Sequence, residues 1–133
     1  MGDVTFGGAT GRISLSIEPA AAASGDERRG TVAVASWNFQ ALGKVWFAPA
    51  DLATFHADLR TCHQRLDGAA AFRTTDGNLA FEVVFASRGQ VRMQGAFREA
   101  HREGNELRFT IATDQTYIGQ AIEQLQAVVP GSP

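Results

Sequence analysis

Apolar and polar residues alternate strictly in RISLSIE (12–18). Ile13, Leu15 and Ile17 share one face, and Ser14 and Ser16 share the other. That period of two predicts a half-buried strand. VTF (4–6) reads as a short earlier strand or as a frayed start. The alternation stops at PAAAASGDERRG, where Pro19, Gly25, Gly30 and a run of charges predict a loop, with 19–29 flexible. TVAVASWNF (31–39) is rich in β-formers and apolar on both faces, which suits a central strand covered on both sides. ALGKVWFA comes next. A turn at Gln40 to Gly43, with Gly43 at positive φ, would join these two runs as a hairpin.

The period changes at Pro49. Leu52, Phe55, Leu59, Cys62 and Leu66 recur at helical spacing and predict one apolar stripe. Asp51 lies in the first turn, where the helix dipole favours negative charge. Gly68 is placed to end the helix. Four strands are predicted after it: AAFRT, LAFEVVFAS, QVRMQGAFR and LRFTIAT. TDGN (75–78) is a strong turn between the first two, with Asp76–Gly77 at its centre. A last helix carries Ile118, Ala121, Ile122, Leu125 and Val129 on one face, and 130–133 read as a tail.

The predicted order is βββαββββα. Short turns make the strands mostly antiparallel, and the two amphipathic helices need an apolar sheet face to cover. The fold class is therefore α+β. One bent, mostly antiparallel sheet of about seven strands packs both helices on its concave face, in a single domain over 1–133. The halves share a strands-then-helix rhythm without matching residues.

Composition narrows the function. The 133 residues carry a net charge of -2, with 44% hydrophobic and 20% charged residues. This is globular composition, with no electrostatic argument for nucleic acid or an anionic membrane. Lys44 is the sole lysine beside eleven arginines, an imbalance read as compositional. One cysteine, Cys62, excludes an internal disulfide. MGDVTFGGATGR has neither the basic nor the apolar region of a signal peptide, which predicts a cytoplasmic protein.

Candidate chemistry is sparse. His56 and His63 are seven residues apart on the first helix, about 10 Å at 1.5 Å per residue, too far to share one metal ion. Cys62 lies on the core stripe and reads as a small buried hydrophobe. No nucleophile elbow, phosphate loop or paired carboxylates are present. No catalytic residue, metal ligand or cofactor site is predicted. Glu82 lies on the outer face of its strand, where a cross-strand arginine, Arg92 or Arg108, would satisfy it.

The outer face of the later strands is the most suggestive surface. It presents Glu82, Val84, Arg92, Gln94, Arg98, Arg108 and Thr110. With Trp37 and Trp46, of which one is expected in the core and one exposed, Glu82, Arg92, Gln94, Arg98 and Arg108 form the candidate protein-binding face. A pocket between sheet and helices for a small molecule is the alternative. A homodimer is compatible with either.

TDQTYIGQAIEQL (113–125) adds a distinctive stretch. Thr113 or Asp114 is placed to cap the last helix. Gly119 disfavours a helix, so close approach to a strand is expected there. A final strand followed by Asp-Gln-Thr-Tyr and a closing helix resembles the WapI-type immunity proteins and related small bacterial domains. GRISLSI, ADLATFHADLRTCHQRLDG and DGNLAFEVVFASRGQVRMQGAF fit that pattern in order. The resemblance spans most of 11–129. It implies a non-enzymatic protein that neutralises a cognate protein toxin, and it transfers no binding residue.

Overall fold

A computed structural model describes residues 2–18, 27–99 and 104–129. The predicted loop over 19–29 falls largely, and the tail over 130–133 wholly, outside these described residues. The order ββββα occurs twice. The first half holds β1 (Gly2–Gly7), β2 (Gly11–Ile17), β3 (Arg28–Ser36), β4 (Phe39–Phe47) and α1 (Pro49–Arg65). The second holds β5 (Gly68–Arg73), β6 (Leu79–Phe85), β7 (Gln90–Arg98), β8 (Glu106–Asp114) and α2 (Gln115–Val128). The α+β class, the antiparallel pairing and the two helices agree with the sequence. The strands number eight, and they form two four-stranded meanders, β1-β2-β3-β4 and β5-β6-β7-β8.

The extra strand is β1. Its two buried residues, Val4 and Phe6, are too few for periodicity to mark a full element. Pairing with β2 along its whole length, Gly2 opposite Ile17 through Gly7 opposite Arg12, makes it one. A second difference lies at the β3–β4 hairpin. Ser36 pairs with Phe39, so the turn is Trp37–Asn38. Trp37 takes φ 53 there, a left-handed conformation that a bulky residue rarely adopts. Gly43 is inside β4 and not at positive φ. A Cβ at Gly43 would fall 2.4 Å from the Phe97 ring, so this glycine makes room for a core aromatic.

Each strand turns one side inward. Ile13 and Leu15 of β2 meet Val34 and Val32 of β3, and Leu79, Val83 and Phe85 of β6 meet Phe97, Met93 and Val91 of β7. The two inner faces share one core. Phe6 and Phe81 lie 5.5 Å apart between ring centroids, Phe55 and Phe81 5.6 Å, and Phe55 and Phe72 5.5 Å. Phe6 comes from the first sheet, Phe72 and Phe81 from the second, and Phe55 from α1. The Phe6–Phe81 and Phe55–Phe81 contacts are edge-to-face, a geometry that adds about 0.5–1.5 kcal/mol each to the burial of the rings, and Phe55–Phe72 is tilted. This aromatic cluster lies between the two sheets and α1.

The helices are exchanged between the halves. α1 packs chiefly on β5, the first strand of the second sheet, and α2 on β1, the first strand of the first sheet. The Thr5 N–H of β1 donates to Gln124 Oε1 of α2 at 2.7 Å. α1 buries Leu52, Phe55, Leu59 and Cys62 as predicted. Leu66, the expected last member of that stripe, instead caps the helix at φ 53 and is exposed. α2 buries Ile118, Ala121, Ile122 and Leu125.

Two seams join the sheets. At one, Ala9 N–H donates to Ala112 O at 2.9 Å, Ala112 N–H to Thr10 Oγ1 at 3.0 Å, and Thr113 Oγ1 to Gly7 O at 2.6 Å. At the other, the turn over 74–78 reaches β4. Thr75 N–H donates to Trp46 O at 2.9 Å and Asn78 Nδ2 to Lys44 O at 3.2 Å. Buried Thr74 and Asn78 bond each other at 2.7 Å, so this polar turn is satisfied where it is covered.

Candidate functional site

The polar members of the predicted face do come together. Cross-strand pairing aligns Ala71, Glu82, Gln94 and Thr110 in one row of the second sheet's outer face. The neighbouring row holds Arg73, Ala80, Ala96 and Arg108, and the row on the other side holds Ala69, Val84, Arg92 and Ala112. Alternation alone puts these side chains outward, because their neighbours along each strand are in the core.

A hydrogen-bonded chain runs across the face. Arg92 Nε donates to Gln94 Oε1 at 2.9 Å, and Gln94 Nε2 donates to Glu82 Oε1 at 2.5 Å. Glu82 is therefore satisfied by its direct cross-strand partner Gln94, with Arg92 behind it, and not by an arginine alone. Arg108 bonds Glu106 on its own strand, Nε to Oε2 at 3.2 Å. Arg98, at the far end of β7, is exposed on the same face opposite Glu106.

Small side chains make this face concave. Ala71, Ala80 and Ala96 floor an open depression of about 710 Å³, bordered by Arg73, Glu82, Gln94, Arg108 and Thr110. Sequence reasoning named the charged rim and missed the floor. The signal was present as alanines at the outward positions of three neighbouring strands, legible only once the register is known. Gly95 contributes from beneath. A Cβ there would fall 2.1 Å from Ala80 O and 2.6 Å from Phe81 Cα, so β7 can press this closely on β6 only with glycine at that position.

The tryptophans stand apart from this set. Trp37 is at the tip of the β3–β4 hairpin and Trp46 on the outer face of β4, both in the first sheet. Neither is in the core. Trp37 is 76% exposed and Trp46 39%, which corrects the expectation that one would be buried. Phe39 and Leu42, at 68% and 73%, extend the exposed apolar surface along β4.

Both histidines of α1 serve the helix pair. His63 Nε2 lies 2.9 Å from the Gln115 carbonyl, which can only accept, so this nitrogen carries the proton. His56 is buried and hydrogen-bonds the Ile122 backbone of α2, while its Nε2 has no protein partner. Burial, helped by the nearby Arg60 charge, lowers the pKa of His56. The spacing of seven on α1 matches the spacing of seven from Gln115 to Ile122 on α2. Burial raises the Cys62 thiol, with Asp58 and Asp67 adding to the effect. A thiol so placed is a poor nucleophile. Among the described residues no group of three or more His, Cys, Asp or Glu side chains is placed to hold a metal ion.

Asp114 caps α2, its Oδ1 accepting from Thr116 N–H at 2.9 Å and Tyr117 N–H at 3.1 Å. Thr113 is no cap and instead ties β8 to the Gly7 carbonyl. Gly119 faces His63, not a strand, and a Cβ there would lie 3.3 Å from His63 Nε2. Among the described residues no helix is long and apolar enough to cross a membrane.

No curated protein matches the chain. The model of the WapI-like immunity protein family matches residues 9–130, from the β1–β2 turn through α2, and so covers β2 to β8 and both helices, with β1 outside it. With the Asp-Gln-Thr-Tyr stretch now seen as the cap and first turn of α2, the chain belongs to the WapI-like immunity protein family.

Proposed function

We propose that this protein is a non-enzymatic immunity protein that acts in the cytoplasm, binding a cognate protein toxin through the outer face of its second sheet. Membership of the WapI-like family carries this reading. Neutralising a toxin requires a complementary surface and no catalytic group. The face supports it in three ways. It is concave. Its Glu82–Gln94–Arg92 chain is held in place before any partner arrives, which reduces the side-chain ordering that binding would require. Its arginines, Arg73, Arg92, Arg98 and Arg108, outnumber Glu82 and Glu106, so the complementary toxin surface is acidic. Trp37 and Trp46 belong to a separate surface on the first sheet.

The test begins with a pull-down from the native host, followed by calorimetric titration of the recovered toxin domain. Arg108→Glu and Ala96→Glu are each expected to weaken binding by about tenfold or more, with unchanged melting temperature. Recovery of no toxin counts against the function. Full-strength binding by both variants moves the site elsewhere.

A further inference from the structure

We infer that the free edge of β4 pairs with the same edge of a second copy of this chain, joining the first sheets of two molecules across a two-fold axis at Ala41. The inference does not depend on the toxin-binding face, which lies on the other sheet.

Ser36 and Phe39 flank a two-residue turn, so the odd-numbered residues of β4 bond to β3 and the even-numbered ones face the other way. Two of those even-numbered residues are occupied: the carbonyls of Lys44 and Trp46 accept from Asn78 Nδ2 and Thr75 N–H. Gln40 and Leu42 present their N–H and C=O groups outward with no such partner among the described residues.

The other sheet edges are managed. β1 is covered by α2, through Thr5 and Gln124. β5 is covered by α1. β8 is engaged at Ala112 by Ala9 and Thr10 and carries Glu106 and Arg108 along its remainder. Charges of that kind keep an open edge from recruiting another strand. WNFQALG (37–43) carries none. It presents three of the most exposed large apolar side chains of the molecule, Trp37, Phe39 and Leu42. Trp37 also holds a left-handed φ at the tip, a strained conformation for so bulky a residue.

A second copy suits this edge because the edge is complementary to itself. With the axis at Ala41, Gln40 of one molecule meets Leu42 of the other, and both open residues on each side exchange N–H and C=O bonds. Phe39 then lies across from Gly43, its ring beside the Phe97 ring that fills the space of the missing Cβ. The window closes at both ends. The hairpin turn takes one copy away after Phe39, just where the turn over 74–78 begins to cover Lys44 of the other.

Sedimentation velocity over micromolar to sub-millimolar concentrations reads the assembly directly, with a reversible dimer expected. Leu42→Lys places charge on an exposed position of the seam, and Gln40→Pro removes one open N–H. Both variants are expected to be monomeric with melting temperatures near that of the parent. Ala41→Cys gives an independent reading. The two introduced thiols would sit on Cα atoms about 4.5 Å apart, within the range a disulfide spans, and oxidation is expected to yield a covalent dimer. Lys44→Cys, displaced from the axis, is expected not to. A chain that stays monomeric throughout and forms no cross-link through Ala41→Cys overturns the inference. So does a dimer that survives both Leu42→Lys and Gln40→Pro.

Discussion

His63 and Gly119 are in contact across the two helices: the His63 Nε2 that donates to the Gln115 carbonyl at 2.9 Å lies directly over the face where Gly119 lacks a Cβ. A glycine inside a helix costs about 1 kcal/mol relative to alanine. Here it lets α1 approach closely enough for that bond. Gly119→Leu is expected to destabilise the protein by about 1–3 kcal/mol, as overpacking does in tight interiors. Gly119→Ala should be near neutral, helix propensity offsetting a 3.3 Å contact. Urea denaturation of both variants checks this, and a stable leucine variant would contradict the contact.

His56 makes stability depend on pH. Its pKa is lowered in the fold by burial, so below the ordinary value of 6.5 the unfolded chain binds a proton that the folded chain resists. Its contribution to stability is full above that value and declines as pH falls through it towards the folded pKa. Melting temperature should therefore drop between about pH 7 and pH 5, and His56→Leu should flatten that part of the profile. Identical pH profiles for parent and variant would show that His56 plays no part.

Asp114 satisfies two backbone donors at the start of α2. Asp114→Ala is expected to cost about 1 kcal/mol, while Asp114→Asn, which keeps an acceptor in place, should cost less. Thermal denaturation distinguishes them, and equal losses would mean that the carboxylate matters for some other reason.

Cys62 is buried with a raised thiol pKa. Native protein should resist iodoacetamide at neutral pH and become reactive in denaturant, which mass spectrometry reads directly. Rapid native labelling would place the thiol outside the core.

Much of this fold is legible in periodicity. Ile13, Leu15 and Ile17, or Leu79, Phe81, Val83 and Phe85, declare their strands, and Leu52, Phe55, Leu59 and Cys62 declare α1. The errors cluster where tertiary contact overrides local preference. Trp37 looks like a strand residue because aromatics favour strands, yet it sits at positive φ in a turn. Gly43 looks like a turn glycine, yet it yields space to Phe97, more than fifty residues away. The outer-face polar residues were readable from alternation with Phe81 and Met93. Their alanine floor was not, because concavity arises from which residues lie side by side on different strands. His56 and His63 read only as too far apart for a metal. Their common role needs the second helix, which periodicity cannot align with the first.

The exchange of helices bears on how this chain is made. β1 leaves the ribosome well before α2, and the Thr5–Gln124 bond spans 119 residues. Until α2 emerges, Val4 and Phe6 lack the helix that covers their strand. Synthesis at roughly 5–20 residues per second leaves the first sheet uncovered for several seconds, and such long-range closure is slow in itself. The nascent chain therefore cannot complete its first half as a finished unit, and the outer strand of its first sheet keeps apolar surface in water until α2 docks.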